Sequence, residues 1–150
     1  NLAINGGEGK YGFIDIIKEY NNTKAANIAN YSIGMSYLNL KDYKNAIIYL
    51  EKFDSDDLFL KSIALGSIGD CFSELSQPNE AFEYYEKAFN SSENLYTSPK
   101  FLYKAAIVGS QIGKNRLSIK YLKRIKDEFP DSYEAAFVDV QLGRLENIDN

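Results

Sequence analysis

One pattern of apolar and polar positions occurs three times along the chain. It consists of a tyrosine, a large apolar residue, two polar residues of which the second is basic, and a further apolar residue. The copies are Tyr49-Leu50-Glu51-Lys52-Phe53, Tyr84-Tyr85-Glu86-Lys87-Ala88 and Tyr121-Leu122-Lys123-Arg124-Ile125, spaced 35 and 37 residues apart. Small residues precede each tyrosine at fixed distances: Ala46, Ala81 and Ser118 three before it, and Gly34, Gly69 and Ala106 fifteen before it. The chain therefore contains a structural unit of about 35 residues in three copies.

Each copy of the unit predicts two amphipathic helices, which we term A and B. In the first copy, Ile33, Tyr37 and Leu40 follow one another at steps of four and three residues, as on one face of a helix. Ala46, Leu50 and Phe53 repeat the same steps in the B segment. Small residues at fixed points in both helices allow their backbones to approach closely. The sequence thus predicts three helix pairs.

The pattern continues beyond the three complete copies. Residues 10–22 predict a B helix without an A helix before it, and residues 132–146 predict an A helix without a B helix after it. Residues 1–9 are expected to be a flexible lead-in. The complete copies are assigned to residues 27–60, 62–95 and 99–132, which gives eight helices in one domain spanning residues 10–146.

Composition excludes most catalytic chemistry. The 150 residues are 45% hydrophobic and 25% charged, and they include no histidine, which removes Ser/His and Cys/His catalysis and histidine-ligated metals. The single cysteine, Cys71, has no partner for an intramolecular disulfide and is assigned to packing. We therefore expect no enzymatic activity, no metal and no cofactor.

Charge and hydropathy bear on the partners. The net charge is −4, which disfavours nucleic acid as a partner. A local group of basic residues is expected to lie on both sides of its helix as a solvated surface: Lys114, Arg116, Lys120, Lys123, Arg124 and Lys126. No apolar run approaches the roughly 20 residues of a transmembrane helix. Because the chain does not begin with methionine, we expect a processed or trimmed piece, attached to a membrane only through a segment upstream of Asn1.

A glycine-rich segment near the start of the chain partly matches the motif of a phosphate-binding loop. The segment is Gly6-Gly7-Glu8-Gly9-Lys10, but Ile4 replaces the first glycine of the loop motif and Tyr11 follows the lysine in place of Ser or Thr. No strand is predicted before it. The segment is therefore assigned to the flexible lead-in.

The small and large positions together resemble the tetratricopeptide repeat, a helix-turn-helix unit of 34 residues. The first copy matches with Ile33, Gly34, Tyr37, Tyr43, Ala46, Leu50 and Phe53; the second with Leu65, Ile68, Gly69, Phe72, Ala81, Tyr85 and Ala88; the third with Leu102, Ala106, Leu122 and Pro130. Departures are Phe53 and Ile125 at a small position, Pro78 at an aromatic one, and Gly109 at a tyrosine position. The resemblance implies an all-α fold, a right-handed superhelix of antiparallel helix pairs.

The resemblance also implies where a ligand binds, because A helices line the concave groove of such folds. The groove residues carried over in this way are Tyr31, Met35, Leu38, Ser67, Asp70, Glu74, Lys100, Tyr103, Lys104, Ile107 and Gln111. Their mixture of aromatic, aliphatic and polar groups suits a peptide or a partner helix. Some members of the family hold a terminal carboxylate in a five-residue clamp. Lys100 and Lys104 match its two basic positions, whereas Tyr31, Met35 and Ser67 do not match the others, so ordinary solvated charge is the favoured interpretation of the two lysines.

A narrower resemblance concerns residues 20–31 and 49–57, which are similar to bacterial membrane-anchored tetratricopeptide proteins resembling the ancillary subunit of the Sec translocon. It implies a location in the bacterial envelope, on the periplasmic side, rather than in the cytoplasm. The predicted function is a non-catalytic protein-interaction module that binds a peptide or a partner helix, as an envelope scaffold or a chaperone-like accessory of secretion. The alternative is a structural subunit that self-associates through its exposed end helices as a homo-oligomer.

Overall fold

A computed structural model describes residues 2–7, 11–20 and 23–146 of the chain, and these residues are helical with short connections. The described helices are α1 (Leu2–Asn5), α2 (Phe13–Glu19), α3 (Lys24–Asn39), α4 (Tyr43–Leu50), α5 (Leu58–Glu74), α6 (Pro78–Ser91), α7 (Thr97–Gln111), α8 (Asn115–Glu128) and α9 (Ala135–Glu146). The described part contains no β-strand, so the predicted all-α class is confirmed. None of its helices combines the length and the apolar character that crossing a membrane requires.

The chain divides into two compact units, residues 1–56 (unit 1) and residues 57–150 (unit 2). The sequence had predicted one repeat domain over residues 10–146. Helix α1 is a further difference, because residues 2–5 were assigned to a flexible lead-in, yet Ile4 is fully buried there. A single apolar side chain with packing partners is enough to order one helical turn, and periodicity cannot reveal it. Glu8, Gly9 and Lys10 of the glycine-rich segment lie outside the described residues.

Three helix pairs share one turn geometry: α3 with α4, α5 with α6, and α7 with α8. In each turn one residue has a left-handed backbone, Lys41 (φ 60°), Ser76 (φ 58°) and Gly113 (φ 77°). The backbone N–H of the next residue then donates to a carbonyl five residues earlier; Gln77, for example, donates to Phe72 at 2.9 Å. This pattern satisfies carbonyl groups at the end of the A helix and reverses the chain within three residues. The helix-turn-helix prediction is thereby confirmed for all three copies.

Helix starts in the first half of the chain are fixed by side-chain caps. The Thr23 hydroxyl accepts from the Ala26 N–H, Asp42 accepts from Asn45, and Asp57 accepts from both Phe59 and Leu60. Such caps satisfy backbone donors that have no partner within the helix. Helix α7 begins at Thr97, two residues before the predicted 99, and α9 begins at Ala135, where the Ser132 hydroxyl accepts from the Ala135 N–H.

Close approach of A and B helices depends on the small residues of the motif. A Cβ placed on Gly34 would lie 2.5 Å from Leu50 of α4, and one on Gly69 would lie 2.7 Å from the ring of Tyr85 in α6. Aromatic pairs close the same two interfaces, Tyr37 with Tyr49 at 5.7 Å between ring centroids and Phe72 with Tyr84 at 5.3 Å. The repeated glycine therefore holds the two helices of a pair in contact.

Unit 2 has a continuous apolar core built from α6, α7, α8 and α9. Phe82, Leu102 and Leu122 are fully buried in it, and Val138 brings α9 onto the same core. Stacked rings link its helices, since Tyr85 of α6 lies 6.2 Å from Phe101 of α7 and Phe82 of α6 lies 6.3 Å from Tyr121 of α8. The core fixes the exposed faces of α7 and α9, which carry the candidate site.

Candidate functional site

Three of the residues predicted to line a groove lie on α3, within unit 1. Tyr31, Met35 and Leu38 are all half-buried there. The ring of Tyr31 packs against Phe53, with 5.0 Å between centroids, and burial raises the pKa of its hydroxyl. Tyr31 is therefore a packing residue of the α3–α4 pair as well as a partly open surface.

The remaining predicted residues lie in unit 2, and they do not form one continuous wall. Ser67 is buried, at 7% exposure, so its predicted place on an open groove is wrong. Its neighbour Gly66 faces the ring of Phe101, and this close contact between α5 and α7 covers Ser67's part of the helix. Glu74 and Gln111 are exposed at the ends of α5 and α7, and Ile107 is half-buried.

Asp70 is the centre of a polar network that joins three helices. Its carboxylate accepts a hydrogen bond from the Tyr85 hydroxyl of α6 at 2.7 Å and pairs with the Lys104 ammonium of α7 at 2.5 Å. Burial, together with the charge of Asp70, raises the pKa of Tyr85. Asp70 and Lys104 are each about one-third exposed. Both predicted groove residues are thus engaged in holding α5, α6 and α7 together.

A cleft of about 340 Å³ opens between α7 and the start of α9, and we term it the aromatic cleft. It is lined by Lys100, Tyr103, Lys104, Tyr133, Glu134 and Phe137. Three rings form its walls, with Phe137 lying 6.3 Å from Tyr103 and 5.1 Å from Tyr133 between centroids. The amide of Gln141 in α9 donates to the Tyr103 hydroxyl at 3.3 Å, which links the two helices. Three of the predicted site residues therefore meet in one place.

The charge of one of the two cleft lysines is compensated from α5. The Lys104 ammonium pairs with the Asp70 carboxylate at 2.5 Å, so this side chain offers mainly its methylene stem to the cleft. The exposed Lys100 lies at the rim of the cleft, with its ammonium 5.7 Å from the ring centroid of its neighbour Phe101.

Half of the cleft was missed from the sequence: Tyr133, Glu134 and Phe137. They lie in the connection before α9 and in its first turn. A usable signal was the spacing of Tyr133 and Phe137, four residues apart, which places two rings side by side on a helical surface. Tyr133 is 78% exposed and Phe137 is 40% exposed, so neither ring is buried in the core.

The basic residues of α8 surround a large part of the helix. Arg116, Lys120 and Lys123 are exposed, and at 100° per residue they share one face of α8, with Arg124 on one flank of that face and Lys126 on the other. Lys126 pairs with Asp139 of α9 at 2.6 Å, and the ammonium of Lys114 lies 3.9 Å from the ring centroid of Phe82.

Two further points concern the thiol of Cys71 and the metal-ligating side chains. Cys71 is buried, and burial raises the pKa of its thiol to about 12, as expected for a packing residue. No group of three or more metal-ligating side chains occurs in the part of the chain that the structure describes.

Comparison with known families finds the tetratricopeptide repeat at residues 29–55 and 63–95. These segments contain most of the α3–α4 and α5–α6 pairs. The turn at Gly113 extends the same geometry to the α7–α8 pair. No curated protein matches the chain. Tetratricopeptide repeats are modules of protein–protein interaction and are not catalytic.

Proposed function

We propose that the protein is a protein-interaction module and that a segment of its partner binds in the aromatic cleft of unit 2. The observation that carries the proposal is the cleft itself, a concave surface with the exposed rings of Tyr133 and Phe137 and the half-buried ring of Tyr103. Exposed rings held in place by a packed scaffold supply contact area at low entropic cost, which is typical of binding hot spots. The match to tetratricopeptide repeats supports a protein or peptide as the ligand.

A selection from a displayed library of random peptides, followed by calorimetric titration of the selected peptides, tests this proposal. The double variant Tyr133→Ala with Phe137→Ala is expected to weaken binding at least tenfold, because both rings leave the cleft. A matched control is Leu95→Ala with Tyr96→Ala, which removes two residues that are 72% and 78% exposed on the connection between α6 and α7. The control is expected to bind within twofold of the unaltered protein. Equal binding by both double variants would place the site elsewhere.

Self-association is the second candidate function, and α9 is the observation that favours it. Val140 is 57% exposed on this helix, and a Cβ on Gly143 would have no neighbour within 4 Å among the described residues. In the earlier pairs the corresponding glycines face a B helix. Sedimentation equilibrium over a hundredfold concentration range tests this candidate, with Val140→Asp expected to shift the protein toward monomer. A monomer at every concentration contradicts it.

An accessory role in secretion, in the bacterial envelope, extends the proposal. It is supported by the resemblance of residues 20–31 and 49–57 to membrane-anchored proteins. Within the first of these segments, Asn21 and Asn22 lie outside the described residues. Fractionation of the source cells tests this extension. Recovery of the protein in the cytoplasmic fraction contradicts it.

A further inference from the structure

We infer that the aromatic cleft receives an arginine side chain of the partner, stacked among the three rings and paired with Glu134. This inference rests on the proposed function and names the chemistry that the cleft selects. Three features carry it: the arrangement of the rings, the compensation of the Lys104 charge by Asp70, and the state of the acidic residues Asp131 and Glu134 before α9.

The rings of the cleft are tilted against one another. Phe137 is inclined at 58° to Tyr103 and at 60° to Tyr133, so the ring faces point in different directions instead of stacking on one another. The negative faces of aromatic rings attract cations, and a planar guanidinium also stacks on them. A purely aliphatic side chain would gain contact area in this space, but it carries no positive charge that the negative ring faces could attract.

The charged groups of the cleft also favour a cation. Glu134 lines the cleft, and neither it nor the nearby Asp131 belongs to an ion pair within the described ranges. The Lys104 charge is compensated by Asp70 at 2.5 Å. The Lys100 ammonium lies 5.7 Å from the ring centroid of Phe101. Glu134 is therefore the acidic group that the cleft offers to a cation, and the protein as a whole carries a net charge of −4.

Arginine fits this combination better than lysine. The guanidinium is planar, donates from several N–H groups in a fixed geometry, and is less strongly hydrated than an ammonium. It can lie against a ring and donate to a carboxylate at the same time. The methylene stem of Lys104, whose ammonium is held by Asp70, adds an apolar surface to the lining of the cleft.

The test uses small probes whose identity is known. N-acetyl-arginine methylamide and its uncharged analogue N-acetyl-citrulline methylamide have nearly the same shape, and N-acetyl-glutamate methylamide carries the opposite charge. Each is titrated into the full chain while the amide and ring signals of residues 133–137 are followed by NMR. The arginine probe is expected to bind at least fivefold more tightly than the citrulline probe, and the glutamate probe is expected to leave these signals unshifted.

Matched variants separate the contribution of charge from that of shape. Glu134→Gln is expected to remove most of the preference for arginine over citrulline, and Asp131→Asn, an exposed acidic neighbour outside the cleft, is expected to retain it. Phe137→Leu is expected to weaken both probes. Citrulline binding as tightly as arginine, or equal effects of Glu134→Gln and Asp131→Asn, overturns the inference. Selected peptides that lose binding in the double ring variant but not in Glu134→Gln would leave the proposed function standing and reject the arginine.

Discussion

Unit 1 and unit 2 use the same helix-pair motif but bury it to different extents. In unit 1, helix α2 has no buried residue, and the sixteen-residue α3 has four. In unit 2, the seventeen-residue α5 buries seven residues and the fifteen-residue α7 buries nine, in a unit whose core also includes α6, α8 and α9. Because each repeat is stabilised by its neighbours, a motif that repeats in sequence does not repeat in stability. The turn and the small residues define a pair, and the neighbouring helices decide how firmly it is held.

The largest expected contrast between the units comes from truncating one apolar side chain in each. Phe82→Ala in unit 2 is expected to lower the free energy of unfolding by about 3–5 kcal/mol, because it empties a fully buried site. Ile16→Ala on the half-buried α2 of unit 1 is expected to cost about 1 kcal/mol or less. Urea unfolding followed by circular dichroism measures both. Similar losses would show that the two units are equally well packed.

Glycines at equivalent positions extend the comparison to two helices within unit 2, α5 and α9. Gly69→Ala is expected to destabilise the protein by about 1–3 kcal/mol, since the new Cβ would lie 2.7 Å from the Tyr85 ring. Gly143→Ala is expected to stabilise it by about 0.5–1 kcal/mol, because the added methyl meets no neighbour among the described residues and alanine favours a helix. Thermal unfolding of both variants decides the point, and a destabilising Gly143→Ala would mean that the open face of α9 is covered.

The Asp70 network gives unit 2 a particular dependence on pH. The pKa of Tyr85 is raised above its ordinary value of 10.0, and that of Cys71 from 9.0 to about 12, both chiefly by burial. A raised pKa means that the folded protein keeps a proton that the unfolded chain loses. The stabilisation is therefore complete below about pH 9 and is lost as the pH rises above it.

The variant Tyr85→Phe tests this dependence. At pH 7 it is expected to lower the free energy of unfolding by about 1 kcal/mol through loss of the hydrogen bond to Asp70. Above pH 10 the difference from the unaltered protein is expected to shrink, because phenylalanine does not ionise. Unfolding at several pH values measures the effect, with the exposed Tyr96→Phe as the control. A difference that stays constant from pH 7 to pH 11 contradicts the argument.

The smallest expected effects concern the turns, where the two units are most alike. Ser76→Gly and Lys41→Gly are each expected to raise the free energy of unfolding by about 0.5 kcal/mol, because both residues hold a left-handed backbone that glycine adopts without strain. Gly113→Ala is expected to lower it by about 1 kcal/mol for the same reason. Chemical unfolding at matched protein concentration measures all three. Opposite signs in Ser76→Gly and Lys41→Gly would show that the turns are not equivalent.

Much of the fold was predictable because it is local. The tyrosine spacing located the helix pairs, and Gly34 and Gly69 were placed correctly at the contacts between their helices. The left-handed turn was not predicted, because Lys41 and Ser76 are poor indicators of positive φ and only Gly113 is a usual one. Helix α1 was missed because its four residues are too few to show a period.

The candidate site was predictable only in part. Lys100, Tyr103 and Lys104 were named because the resemblance to tetratricopeptide repeats implied groove positions on this helix. Their partners across the cleft, Tyr133, Glu134 and Phe137, are about 30 residues away along the chain, and no spacing rule connects them. Of the other predicted groove residues, Asp70 forms an ion pair with Lys104, and Ser67 is buried.

The sequence by itself determined that this protein is a series of helix pairs without histidine chemistry, because helical periodicity, small-residue positions and composition are properties of neighbouring residues. Only the tertiary structure decided which exposed residues come together in the aromatic cleft. The direction of the Lys104 side chain depends on Asp70 of α5, and the second wall of the cleft depends on α9 and the residues before it. Both are contacts between distant segments, set by how the core packs, and no pattern of neighbouring residues contains them.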